Sequence, residues 1–346
     1  MPSVRSSVLP HGPLAVTMGE PAGIGAEIAV KAWAARKRDE GVPPFFFLGD
    51  MALICERARL ARHDVPFALI DDPEDVVDAF QEALPVLDLA LVNPSTPGEL
   101  DPANAGPVIE AIDRACAFAL AGRISGMVTN PIHKRALYDA GFSAPGHTEY
   151  LAGLTGARQP VMMLSCPGLR VVPVTVHIPL GDVAGSLTTE AIVMQGRILA
   201  EGLIRDFGVK EPRIAVAGLN PHAGEEGKLG HEEQAIITPA IHQLQAEGIH
   251  IDGPYPADTL FHAQARTRYD AVLCMYHDQA LIPLKTIDFE RGVNTTLGLP
   301  IVRTSPDHGT ALGIAAQGIA HPGSLIAALR EAAFIAQNRA LHEAGE

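Results

Sequence analysis

A segment near the C-terminus, from Met275 to Ala311, carries many side chains that can bind ions or move protons. The apolar run 269–274 before it predicts a buried strand, and ligands of open α/β sheets bind beyond the carboxyl ends of strands. Because the segment is rich in Gly, Pro and Thr, we expect an irregular loop. Taken singly, its polar residues are typical of an ordinary surface loop, but together they suit a small anionic substrate: His277, Asp278, Lys285, Asn294, Arg303 and His308.

Three histidines each close or follow a predicted strand: His177, His222 and His277. If these strands share one sheet, three imidazoles could approach one metal ion to ~2.0–2.1 Å. A single histidine at such a place is more often an ordinary core or surface residue, so only the coincidence of three supports a metal site. Neutral imidazoles suit Zn²⁺ or Co²⁺, whereas Mg²⁺ would require a carboxylate such as Asp258 or Asp278.

Cationic and polar residues elsewhere predict an anion clamp. Lys285 would hold a phosphate or carboxylate as a point charge, and Arg303 would do so through its planar fork. His147 and Thr148 stand at a predicted helix start within 141–156, where Thr148 is open to the plain role of an N-cap. A metal ion beside such a clamp predicts a small phosphorylated or carboxylated substrate without naming the reaction.

Strands and helices alternate along the chain, which predicts an α/β fold with a mostly parallel sheet. The turn 19–25 joins the first strand to the first helix, but Ile28 stands where a dinucleotide fingerprint needs glycine. The turn is therefore either a ligand-facing loop or a tight connection that requires glycine. The runs that predict strands are 14–19, 45–49, 67–70, 126–131, 161–164, 170–177, 213–219 and 269–274, the fifth and sixth forming a possible hairpin. The predicted helices are 26–38, 51–61, one after Pro107, 188–207, 231–247 and 323–341.

The composition narrows the class of protein. The 346 residues include 47% hydrophobic and 19% charged ones, which is typical of a globular protein of about two domains. The net charge of −14, without a basic run, argues against nucleic acid and anionic membranes as partners. Four scattered cysteines and no apolar run of membrane-spanning length predict a soluble protein of the reducing cytoplasm.

Long motifs along the chain resemble the family of 4-hydroxythreonine-4-phosphate dehydrogenases, the NAD-dependent enzymes of pyridoxal phosphate biosynthesis. The resemblance is collinear from about residue 14 to 320. The motifs that carry it are TMGEPAGIG (17–25), TNPI-K (129–134), GHTE (146–149), VTVHIPL (174–180), GLNPHAGE (218–225), PYPADT (254–259), MYHDQ (275–279), NTTLGLP (294–300) and RTSPDHGTAL (303–312).

The resemblance implies a fold similar to isocitrate and isopropylmalate dehydrogenases, with two α/β/α domains, a cleft between them, and a homodimer with a shared active site. We place the first domain at 1–144 plus 304–346 and the second at 145–303. The resemblance implies a divalent metal on the three histidines, with zinc favoured over Mg²⁺ and Co²⁺. It also implies NAD or NADP as cofactor. The family carries an acid where this chain has Gly313, which bears on cofactor affinity or choice. The implied substrate contacts are His147, Thr148, Lys285, Asn294 and Arg303.

The implied reaction oxidises 4-phosphooxy-L-threonine to 2-amino-3-oxo-4-phosphooxybutanoate, which loses CO₂ to give 3-amino-2-oxopropyl phosphate. Hydride leaves for the nicotinamide while a base takes the hydroxyl proton, and Lys285 and Asp258 are the residues we consider for that base. The nearest alternative is a related dehydrogenase acting on 4-phosphothreonate, 4-phosphoerythronate or a dihydrodiol dicarboxylate. More distant alternatives are a phosphate acyltransferase, a three-histidine metal hydrolase and a pure binding module.

Overall fold

The structure is a computed structural model that describes residues 9–38, 41–138, 141–142, 144 and 146–345. Its strands are β1 (Leu14–Thr17), β2 (Phe45–Gly49), β3 (Phe67–Ile70), β4 (Leu84–Asp88), β5 (Gly126–Thr129), β6 (Val161–Cys166), β7 (Leu169–Thr175), β8 (Ile214–Ala217), β9 (Ile251–Tyr255), β10 (Ala271–Tyr276), β11 (Val293–Leu297) and β12 (Arg303–Pro306). Its α-helices are α1 (Gly25–Ala35), α2 (Met51–Leu60), α3 (Val76–Ala79), α4 (Ala105–Leu120), α5 (Lys134–Tyr138), α6 (His147–Thr155), α7 (Val183–Ser186), α8 (Thr189–Arg205), α9 (Thr238–Ala246), α10 (His277–Ile287) and α11 (Gly323–Gly345).

The chain divides into two compact units, of which unit 1 comprises residues 1–160 and 299–346. Its strands lie in the order β3-β4-β2-β1-β5-β12, and each neighbouring pair is parallel. Parallel strands buried on both faces need continuous apolar runs, and Phe45, Phe46 and Phe47 are all fully buried in β2. Helix α4 packs on β1, β2 and β5, and helix α11 packs on β1, β5 and β12, so both helices support the strands that carry Thr129 and Arg303.

Unit 2 comprises residues 161–298, with strands in the order β11-β6-β7-β10-β8-β9. The strands β7, β10, β8 and β9 run parallel, whereas β6 is antiparallel to both of its neighbours. The predicted hairpin over Pro167 and Gly168 is confirmed, since Leu164 pairs with Val171 across it. Helices α8 and α10 cover this sheet. The three strands that the proposed metal-binding histidines follow, β7, β10 and β8, are thus neighbours in this order and parallel, as the metal hypothesis required.

The glycine turn after β1 packs tightly against its neighbours. A Cβ on Gly25 would lie 2.5 Å from the backbone oxygen of Met18, so only glycine fits there. The side chain of Asn130 closes the same turn by donating to the oxygens of Thr17 and Gly25. Close packing accounts for these glycines without a ligand, which favours the tight-connection interpretation.

The expectation that Met275–Ala311 is an irregular loop is wrong. The residues from His277 form helix α10, and β11 and β12 follow within the same segment. Pro283 and the polar residues around it argued against a helix in the sequence. In the structure, however, Ala280 and Leu284 are fully buried on the inner face of α10. Packing of that face outweighs the weak local propensity.

The unit boundaries also differ from the predicted divisions at 144/145 and 303/304. Helix α6 packs on α4, and β12 pairs with β5, so His147, Thr148 and Arg303 all belong to unit 1. Unit 2 lies in sequence between the two segments of unit 1. Within the described residues no helix is both long and apolar enough to cross a membrane.

Candidate active site

Arg303 begins β12 in unit 1 and is buried, with 4% of its surface exposed. Its Nε and Nη2 both donate to Thr129 Oγ1, at 3.2 and 2.8 Å, at the end of the neighbouring strand β5. Burial lowers the pKa of Arg303 to about 10, and the negative charge of Glu149 opposes that shift. The guanidinium is therefore still cationic at neutral pH, and it is fixed in one orientation at the carboxyl end of a parallel strand.

His147 lies at the start of α6, as predicted, and its Nε2 is buried with no hydrogen-bond partner among the described residues. Burial lowers the pKa of His147 well below its usual value, and the positive charges of Arg303 and Lys134 lower it further. The imidazole is thus neutral at physiological pH, and a buried nitrogen without a partner is costly unless a ligand satisfies it. Thr148 is half-buried in the same first turn, and the helix has no side-chain N-cap bond.

In unit 2, His177 follows β7 and His277 opens α10, and their ring centroids are 5.8 Å apart. Two imidazoles on one tetrahedral zinc ion have centroids roughly 5–6 Å apart, given bond lengths of ~2.0–2.1 Å. His277 Nδ1 lies 2.7 Å from a carboxylate oxygen of Asp278. Because that oxygen can only accept, the proton belongs on Nδ1 and the lone pair of Nε2 is left for a ligand.

His222 sits beyond β8 in a turn of unusual backbone shape. The residues 222–226 all have positive φ, between 44° and 78°, and only one of them is glycine. Each non-glycine residue in this region costs roughly 1–2 kcal/mol, so surrounding bonds must hold the turn. His222 is exposed, and within one chain the described residues contain no group of three His, Cys, Asp or Glu side chains arranged to hold a metal ion.

The remaining predicted residues of unit 2 lie on three different elements. Lys285 is half-buried on α10, with its ammonium 5.5 Å from the ring centre of Phe289. Asn294 lies on β11, and its Oδ1 is buried with no partner in the described part of the chain. Asp258 is exposed after β9. The orphaned Asn294 oxygen resembles the His147 nitrogen, because a polar ligand would satisfy either atom.

The structure thus brings Arg303 and His147 together in unit 1 and His177 and His277 together in unit 2. The sequence interpretation missed Thr129, which directly precedes Asn130-Pro131 at the end of a predicted strand. The sequence signal that could have identified Thr129 is its hydroxyl at the carboxyl end of a predicted strand. It also missed Glu233 and Gln279, two buried polar residues with no distinguishing local pattern.

The family described as "Pyridoxal phosphate biosynthetic protein PdxA" matches residues 41–332. A 4-hydroxythreonine-4-phosphate dehydrogenase of Caulobacter vibrioides is 53% identical over 333 residues, covering 94% of this chain and 98% of the relative. The crystal structure of a 4-hydroxythreonine-4-phosphate dehydrogenase from Klebsiella pneumoniae has a TM-score of 0.85 at 39% identity and covers 94% of this chain and all of its own. A terephthalate 1,2-cis-dihydrodiol dehydrogenase from Burkholderia xenovorans has a TM-score of 0.62 at 27% identity, covering 93% and 98%. These matches confirm the α/β fold and the family that the motifs implied.

Proposed function

The chain belongs to the PdxA family of pyridoxal phosphate biosynthetic proteins, and on this premise we propose that it oxidises 4-phosphooxy-L-threonine with NAD or NADP. The product, 2-amino-3-oxo-4-phosphooxybutanoate, loses CO₂ to give 3-amino-2-oxopropyl phosphate. The new ketone beside the carboxylate-bearing carbon accepts the electrons that decarboxylation leaves behind.

The observation that carries this proposal is the buried guanidinium of Arg303. The guanidinium is buried, and two of its N–H groups donate to Thr129 Oγ1, so its planar fork is held in one orientation. A phosphate or carboxylate group of the substrate suits the planar fork. Neutral His147 adds a further polar contact, because its buried Nε2 has no partner among the residues described. Thr148, Lys285 and Asn294 complete the proposed substrate contacts.

The proposed metal ligands are His177, His222 and His277. The separation of the first and third rings and the free lone pair on His277 Nε2 fit a divalent ion that prefers imidazole, with Zn²⁺ ahead of Co²⁺ and Mg²⁺. When bound, the ion would polarise the substrate oxygen and make its hydroxyl more acidic. Asp258, or Lys285 with a neutral amine, would accept the hydroxyl proton while hydride passes to the nicotinamide.

We further propose a cytoplasmic homodimer in which both subunits contribute to each active site. Such sharing would account for the lack of a complete three-ligand group within the described part of one chain. The free cysteines, which are half-buried or buried, suit a reducing compartment. Mixing inactive His147→Ala with inactive His277→Ala protein tests the sharing. Recovered activity in heterodimers is expected if the two residues serve one site from different subunits, and no recovery means that one chain supplies both.

The deciding experiment measures formation of the reduced nicotinamide with 4-phosphooxy-L-threonine, 4-phosphothreonate and 4-phosphoerythronate, each with NAD and with NADP. A parallel set with a chelator tests the need for a metal. We expect the amino-acid substrate to have the highest kcat/KM and the chelator to abolish turnover. Preference for either substrate that lacks the amino group would contradict the proposed reaction.

A second candidate is oxidation of a dihydrodiol dicarboxylate, which the similarity to the Burkholderia xenovorans enzyme favours. That similarity is weaker than the 53% identity to the Caulobacter vibrioides protein. A dicarboxylate would present two carboxylates and no phosphate to the cationic residues. Including such a diol in the same assay separates the two reactions directly.

A further inference from the structure

Two buried polar side chains of unit 2 tie together the backbone segments from which His222 and His277 project. We propose that Glu233 and Gln279 are positioning residues for the metal ligands, a role that rests on the proposed function of those histidines. Glu233 has 3% of its surface exposed and Gln279 has 8%. Both side chains are therefore shielded from solvent. Each forms a hydrogen bond to the backbone of the segment that follows β8.

Glu233 anchors the start of the left-handed turn. Its Oε1 accepts from the backbone N–H of Asn220 at 2.7 Å, and its Oε2 accepts from Asn220 Nδ2 at 3.0 Å. The carboxylate also packs against the turn itself, because a Cβ on Gly224 would lie 2.6 Å from Oε2. Asn220 is two residues before His222, so this bidentate contact fixes the point at which the turn leaves β8.

Gln279 joins that turn to the neighbouring strand. Its Nε2 donates to the backbone oxygen of Gly218 at 2.7 Å, and its Oε1 accepts from the backbone N–H of Met275 at 2.7 Å. Gly218 follows β8 on the way to His222, whereas Met275 lies in β10 two residues before His277. One amide therefore spans the ends of two parallel strands, with its donor on one segment and its acceptor on the other.

The chemistry of both groups is specific. The Glu233 carboxylate faces two donors, and an amide of the same shape would turn its own NH₂ toward one of them. The Gln279 amide faces one donor and one acceptor, so a carboxylate there would oppose the oxygen of Gly218. Glu233→Gln and Gln279→Glu thus keep volume and shape, but the first places a donor against a donor and the second an acceptor against an acceptor. Changes of this kind in groups that orient ligands typically weaken metal affinity by ~10–100-fold.

The test uses the full-length protein, stripped of metal with a chelator and titrated with Zn²⁺ against a chromophoric competitor. We expect Glu233→Gln and Gln279→Glu each to weaken Zn²⁺ binding by ~10-fold or more. The visible spectrum of the Co²⁺ form should change as well, since it reports ligand geometry. Added Zn²⁺ should restore turnover. Gln245→Glu is the control for the chemical change. Gln245, which is exposed, also donates to a backbone oxygen, that of Ile251 at 2.8 Å, away from any proposed ligand.

The outcomes separate this inference from the assignment of the ligands. His222→Ala should lose Zn²⁺ binding altogether, and full Zn²⁺ retention in that variant would refute the ligand assignment itself. Loss in His222→Ala together with wild-type affinity and Co²⁺ spectra in both positioning variants would overturn the inference alone. An equal loss of affinity in Gln245→Glu would also overturn it, because the effect would then be one of general stability. Asn220→Ser replaces Glu233→Gln if that variant does not fold, with the same expected loss of affinity. It removes the side-chain amide that donates to both Glu233 and Glu232 and leaves the backbone bond to Glu233 in place.

Discussion

Arg303 in unit 1 is proposed to bind the substrate, and His222 in unit 2 is proposed to bind the metal ion. The two side chains are positioned in different ways. Arg303 is buried on a strand that pairs with β5, and two of its N–H groups donate to the hydroxyl of Thr129. His222 is exposed on a turn whose backbone is strained. The buried side chains of Glu233 and Gln279 form hydrogen bonds to the backbone that leads into this turn. Burial fixes the orientation of the Arg303 side chain directly, whereas the position of His222 depends on the conformation of its backbone turn. Substitutions near Arg303 should therefore act on substrate binding, and those near His222 on the retention of metal.

The largest effect should come from Arg303→Lys. A single ammonium cannot reproduce the planar fork, so kcat/KM should fall by roughly 10²-fold, chiefly through KM for the anionic substrate. Steady-state kinetics with varied substrate at saturating cofactor measure this. Arg330→Lys is the control, because Arg330 donates to the backbone oxygen of Gly41 within the same unit and should leave KM unchanged. Unchanged kinetics in Arg303→Lys would remove Arg303 from the clamp.

Thr129→Val should have the next largest effect. It removes the acceptor of two buried guanidinium donors without changing volume, which costs about 1–3 kcal/mol and should raise KM by roughly tenfold. Thr17→Val is a close match, since Thr17 is the register partner of Thr129 in β1 and its buried Oγ1 has no partner among the described residues. Chemical unfolding and KM should separate the two variants. Equal behaviour would mean that the hydroxyl of Thr129 does not position Arg303.

Gly224→Ala examines the other region. Its φ of +78° and the nearby Glu233 oxygen should together lower the free energy of unfolding by more than the ~1 kcal/mol expected from φ alone, and should weaken Zn²⁺ binding. Gly122→Ala, with φ +68° and open space around its Cβ, measures the conformational cost by itself. Equal losses of unfolding free energy in both variants would show that the turn accommodates the added Cβ without displacing the Glu233 carboxylate.

The smallest effect concerns the pH dependence set by His147. Because the folded-state pKa of His147 is lowered, the unfolded state gains a proton below about pH 6.5 that the folded state does not bind. Stability should therefore be present above that pH and fall on acidification, by at most about 1.4 kcal/mol per pH unit. Urea unfolding at pH 7.5 and 5.5 should show a smaller acid loss in His147→Asn than in the wild type. A loss of the same size in both would argue against a buried neutral imidazole.

Much of the fold was predictable because parallel strands such as β2 and β10 are apolar runs, and their carboxyl ends could be found from the sequence. The helix start at His147 was predictable because Glu149 stands in the first turn, where a negative charge suits the helix dipole. The edge strand β9 escaped prediction because Gly253 and Pro254 oppose a strand assignment, and only its pairing with β8 makes it one. The strand β12 escaped because its Arg-Thr-Ser-Pro sequence has no apolar alternation.

The sequence predicted which residues could form the candidate site, but not how their side chains are oriented. Histidines after adjacent strands could be recognised, but the direction of each ring depends on φ values that sequence does not specify, as at His177 and His222. The same limit hid Glu233 and Gln279. Their partners are backbone groups distant in sequence, and no local spacing marks them.

The interrupted order of unit 1 has a consequence for synthesis on the ribosome. The strand that carries Arg303 pairs with β5, whose Thr129 was made 174 residues earlier. Unit 2 is continuous in sequence and can fold as soon as it emerges, whereas the sheet of unit 1 stays open at β5 until β12 has been translated, after all of unit 2. Until β12 is made, one edge of β5 therefore has no strand beside it, and an unpaired edge is open to aggregation and to chaperone binding.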